Sequence, residues 1–119
     1  MAIHNLQDLQ TSYGMEAVAV EIQFGRDAAF SIECFLRPLS SSQRDRFEAS
    51  VVGEKGKRNL ANLRARLVAD CWVNEDGEKI GTAEQIGEQR ADLVGAIFDR
   101  VRQLNGMDAD VAVEEAGND

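Results

Sequence analysis

Phe35-Leu36-Arg37-Pro38-Leu39-Ser40-Ser41-Ser42-Gln43-Arg44-Asp45-Arg46-Phe47-Glu48-Ala49 is the stretch that decides the fold class. Within it the apolar period lengthens from two to about three and a half, the pattern of a strand running into a helix. Pro38, the only proline, has no N–H to give a ladder and pushes Arg37 toward extended geometry. Ser40 has the chemistry of an N-cap, and Gln43 three residues on completes a capping box. The spacing predicts a helix from about Ser41 to Val52, with Phe47 and Val51 on one face.

Upstream of this junction, Val18, Val20, Ile22 and Phe24 alternate with Ala19, Glu21 and Gln23. Phe30, Ile32, Cys34 and Leu36 alternate in the same way with Ser31, Glu33 and Phe35. With Gly25-Arg26-Asp27 as turn chemistry between them, residues 16–37 read as a β-hairpin. A lone hairpin is marginal in water, so its apolar face must lie on the helices that follow. Residues 1–15 carry Leu6 and Leu9 at helical spacing among polar neighbours, and read as a flexible arm with at most a short helical turn.

Downstream, Gly53-Glu54-Lys55-Gly56-Lys57 breaks the first helix, and no Gly-Lys-Ser/Thr follows to make it a phosphate-binding loop. Asn59 is the expected cap of a second helix, in which Leu60, Leu63, Leu67, Val68, Cys71 and Trp72 share a face and form the expected centre of the core. Asp76-Gly77 signals a tight turn between short extended arms at Val73 and Ile80. Aligning Gly77 with the glycine of a calcium-binding loop puts Trp72 and Ala83 where acidic ligands belong, so this loop is a turn. Thr82 with Gln85 repeats the capping box ahead of Ile86. Leu93, Val94, Ile97, Phe98, Val101 and Leu104 then mark a long amphipathic helix that Asn105-Gly106 ends, and Asp108 is placed to cap a last turn through Val111. The expectation is a single α+β domain, mainly α: the hairpin packed on a bundle of about four helices within residues 40–106, followed by an acidic, partly disordered tail over 107–119.

The 119 residues carry a net charge of −8, which disfavours a nucleic-acid partner because a basic face is needed to displace counterions. There is no secretory leader pattern and no apolar run of membrane-spanning length, so no membrane partner is expected. Cys34 and Cys71 have no metal-ligand or redox spacing, and read as reduced apolar fillers in a cytosolic protein. His4, the only histidine, lies in the terminal arm; Asp92 and Asp99 share a helix face without a partner acid, and Glu33 and Asp70 read as salt-bridged surface groups. No set of residues meets the requirements of an active site, so neither enzymatic turnover nor a cofactor or metal is expected. The feature pointing to binding is the wide apolar stripe of the last long helix. Val94 and Phe98 widen it, and in so small a domain such a stripe either touches both the core and a partner or is wholly covered by the hairpin and preceding helices. On the first reading they are the candidate partner-binding residues for another protein or a second copy in a homo-oligomer.

Taken in order, these segments resemble the tail assembly chaperones of long-tailed bacteriophages and prophages. The residues carrying the resemblance are the hairpin, Arg37-Pro38-Leu39-Ser40 leading to Gln43-Arg44-Asp45-Arg46-Phe47-Glu48-Ala49-Ser50, and Leu63-Arg64-Ala65-Arg66-Leu67-Val68-Ala69. Asn74-Glu75-Asp76-Gly77, the Leu104-Asn105-Gly106 stop and the acidic tail complete it. The resemblance implies a non-enzymatic factor in the host bacterial cytoplasm, absent from the finished virion. Its implied partners are the tape measure protein, which it keeps soluble, and the major tail tube protein, which it helps recruit. Two other readings stay open: a structural tail-completion or head-tail protein retained in the virion, and an acidic inhibitor that mimics nucleic acid.

Overall fold

In a computed structural model of the chain, residues 2–53, 57 and 60–107 are described. The elements follow in the order α1 (Leu6–Ser12), β1 (Val18–Phe24), β2 (Phe30–Leu36), α2 (Ser41–Val52), α3 (Leu63–Cys71), β3 (Trp72–Val73), α4 (Ala83–Gly87) and α5 (Ala91–Leu104). The fold is α+β and mainly α, with an N-terminal hairpin. β1 and β2 pair antiparallel from Val18 opposite Leu36 to Phe24 opposite Phe30, so the alternation seen in sequence puts each apolar set on one face. Gly25 turns the chain at φ +84°, where a Cβ would meet the Phe30 ring at 2.8 Å. A 3-10 turn over Arg26–Ala28 completes the reversal, and the rings of Phe24 and Phe30 stack at 5.7 Å across the end of the hairpin.

The junction is built as its residues dictate. Ser40 Oγ accepts from the Gln43 N–H at 3.1 Å, while Gln43 Oε1 accepts from the Ser40 N–H at 2.9 Å. The last sheet-like bond donates from the Arg37 N–H to the Cys71 carbonyl at 2.9 Å, and Pro38 then has nothing left to donate. Thr82 and Gln85 form the same reciprocal pair ahead of α4.

Four expectations change. Residues 6–12 form helix α1, capped by Asn5, whose side chain accepts from the Asp8 N–H at 2.8 Å. The helix expected to reach Trp72 stops at Cys71 and starts at Leu63, leaving Leu60 ahead of it. Asn62, not Asn59, holds its N-cap position, in a left-handed conformation that asparagine tolerates and without a capping hydrogen bond; Asn59 lies outside the described residues. Trp72 turns extended because Trp72 and Val73 pair with Leu36 and Phe35, giving the sheet a third strand in the order β1-β2-β3. An aromatic and a β-branched residue suit that geometry better than a helix end. Residues 54–56 of the expected loop, the turn expected from Asp108 to Val111 and the acidic tail also lie outside the described residues.

The core sits between the sheet and the pair α3 and α5. Cys34, Leu36, Leu67, Val68, Cys71, Val73, Ile97 and Val101 are all but removed from solvent. Each aliphatic side chain buried in this way contributes about 1.5–3 kcal/mol. Asn105 ties the junction to this core: its Oδ1 accepts from the Leu39 N–H at 2.7 Å and its Nδ2 donates to the Val101 carbonyl at 2.9 Å.

Candidate functional site

Val94 and Phe98, one turn apart on α5, both belong to the core cluster, at 7% and 2% exposure. Two guanidinium groups lie over the Phe98 ring, Arg102 at 4.8 Å from its centroid and Arg64 at 5.8 Å. Arg102 is itself buried and bonded to Asp99 one turn back, so its charge is neutralised while its plane covers the ring. Both apolar residues also line the floor of an open cleft of about 480 Å³ between α3, the end of α4 and the start of α5. Leu60, Leu63 and Arg64 form one wall, and Gly87 and Ala91 lie on the other. A side chain at Gly87 would crowd the Asn62 amide, with a Cβ only 3.0 Å from its Oδ1. The stripe of α5 thus serves mainly the core, and Val94 and Phe98 also line this cleft.

A second apolar surface is missing from the sequence reading. Helix α1 buries no residue, and leaves Leu6 at 75%, Leu9 at 38% and Tyr13 at 81% exposure. Leu6 and Leu9 share one face by their spacing, and Tyr13 follows as the non-helical C-cap. Leu6 and Leu9 were the available signal. A helix of seven residues is not stable in isolation in water, so its apolar face calls for a covering surface.

Asp92 and Asp70 are engaged in ion pairs. Asp92 accepts from Arg90 at 3.1 Å and from the Leu93 N–H at 2.9 Å, and Asp70 holds Lys79 at 3.3 Å. Glu33, expected in a salt bridge, is instead exposed on β2 directly opposite the like charge of Glu21. In the Asn74–Gly77 turn, Asn74 Oδ1 accepts from the Asp76 and Glu78 N–H groups at 2.9 and 3.0 Å, which commits that oxygen to turn geometry. Burial pushes the Cys34 thiol up to about 11. Burial first and the Asp70 carboxylate second push Cys71 up to about 12, against the opposing Asn105 contact. Both are neutral thiols near pH 7, a state without nucleophilic or metal-binding strength. Among the described residues no helix is long and apolar enough to cross a membrane, and no three His, Cys, Asp or Glu side chains gather as a metal site.

No family model, no curated protein and no solved structure matches the chain.

Proposed function

We propose that the chain is a non-enzymatic assembly chaperone of the phage tail type, which covers apolar stripes of the helical tape measure protein until tail tube subunits replace it. The proposal takes its partner identities from the resemblance in segment order. The observation that carries it is apolar surface left open in two places: the exposed face of α1, and the α3–α5 cleft with Val94 and Phe98 at its floor. Helix-in-groove recognition uses surfaces of this kind, with apolar anchors on the helix meeting a groove of matching chemistry.

The test is co-expression of the full chain with a tape measure fragment from the same genome. A soluble, co-purifying complex is expected, and Leu60→Glu should return the fragment to the insoluble fraction. Leu60 is half-buried and precedes α3, whereas Phe98→Glu would place a charge in the core and report only on folding. A fragment that stays insoluble beside the wild-type chain, or a complex indifferent to Leu60→Glu, would end this reading. Recovery of the chain in purified virions would point to a structural tail protein instead.

A further inference from the structure

On a chain of net charge −8, one cleft gathers cations. It lies between α2, α3 and the segment entering α4, has a volume of about 870 Å³, and is lined by Arg46, Arg66 and Lys79 with, among the described residues, a single carboxylate, Asp70. Ile80 supplies apolar lining at 48% exposure, and Phe47, at 7%, belongs to the core beneath it. Arg66 donates to Ser50 Oγ at 3.0 Å, which aims its guanidinium across the cleft toward α2. Lys79 reaches Asp70 at 3.3 Å with about half of its side chain exposed. Arg46 is exposed on the α2 face that carries Gln43, Phe47 and Ser50. We infer that this cleft docks an acidic, amphipathic segment of a protein partner, with carboxylates on Arg46 and Lys79 and an apolar side chain on Ile80.

Two features select this occupant. The capping N–H groups at the edges of the cleft are already satisfied: Ser40 and Gln43 bond each other, as do Thr82 and Gln85. The N-cap and N3 amides of both helices are thus taken, and the cations that line the cleft are side chains, which suit carboxylates on flexible stems. The second is the company the cations keep. Asp70 within the cleft interrupts the positive charge that a continuous polyanion would track, while Ile80 offers an apolar contact that a nucleic-acid backbone does not use. This inference stands apart from the α3–α5 cleft and does not rest on the chaperone reading.

The experiment measures binding of the full chain to a short fluorescein-labelled peptide of repeating Leu-Glu-Glu-Ala, by anisotropy, beside its Leu-Lys-Lys-Ala counterpart. The acidic peptide should bind at least about tenfold more tightly, and weaken as salt rises. Arg46→Glu should weaken it by about tenfold or more, the scale of one lost charge-assisted bond. Arg44→Glu, on the same helix but paired with Glu48 outside the cleft, should stay within about twofold. Thermal melts of both variants check folding, and Arg46→Gln replaces Arg46→Glu if the reversal lowers the melting point. Equal binding of the two peptides, no binding of either, or equal losses from Arg44→Glu and Arg46→Glu would overturn the inference. So would oligothymidylate binding more tightly with the same dependence on Arg46. A tenfold gain in peptide binding on removing residues 108–119, which hold five acids and no base, would overturn it by assigning the cleft to the chain's own end.

Discussion

Helices α1 and α5 make the instructive contrast. Both place apolar residues at helical spacing, yet α5 buries Val94, Ile97, Phe98 and Val101, while α1 buries nothing. α5 has 14 residues and lies against β1 and α3, so its stripe meets a sheet face and another helix. α1 has seven residues, and its leucines face solvent. Spacing reports which side chains share a face; only the rest of the molecule reports whether anything meets it.

That contrast can be broken or sharpened by mutation. The largest effect belongs to Ile97→Ala, at a position with no exposure, which should cost about 2–5 kcal/mol and lower the urea midpoint with an unchanged slope. Asn105→Ala should cost about 1–3 kcal/mol, because the Leu39 N–H loses its acceptor; faster amide exchange at Leu39 would localise the loss. A third check concerns the buried thiols. Folding holds the Cys34 and Cys71 protons up to about 11 and about 12, whereas the unfolded chain releases them near the ordinary value of 9.0. Their contribution is therefore fully present below about pH 9 and is lost as pH rises through the folded values. Denaturation midpoints should decline across that alkaline window, and less steeply in Cys71→Ala. The smallest effect is expected at α1, where Leu6→Ser with Leu9→Ser should change stability by less than about 0.5 kcal/mol. If the pair costs as much as Ile97→Ala, α1 is seated on its own chain and the contrast fails.

The readings that held were local. Both capping boxes, the hairpin alternation and the stop at Asn105-Gly106 depend on residues within a few positions of one another. The changes at α1 and at the Asn62 cap were local as well, whereas others depended on residues outside the segment. Trp72 fits a helical pattern until the end of β2 arrives to pair with it, and Phe98 looks surplus to the core until Arg64 and Arg102 close over it. Of the candidate site, Val94 and Phe98 were legible as apolar positions on α5. Their place at the floor of a cleft was not, because Leu60, Leu63 and Gly87 reach it from other elements. The cationic cleft was still less legible, since Arg46, Arg66 and Lys79 come from three separate segments.

By itself the sequence determined where strands and helices begin and end around Phe35–Ala49, because period, proline and capping chemistry act within a turn or two of chain. Tertiary structure alone decided which apolar faces are covered, that the hairpin gains a third strand, and that scattered arginines and a lysine meet in one cleft. Burial and charge proximity depend on distances through space, and these are set only when the elements pack together.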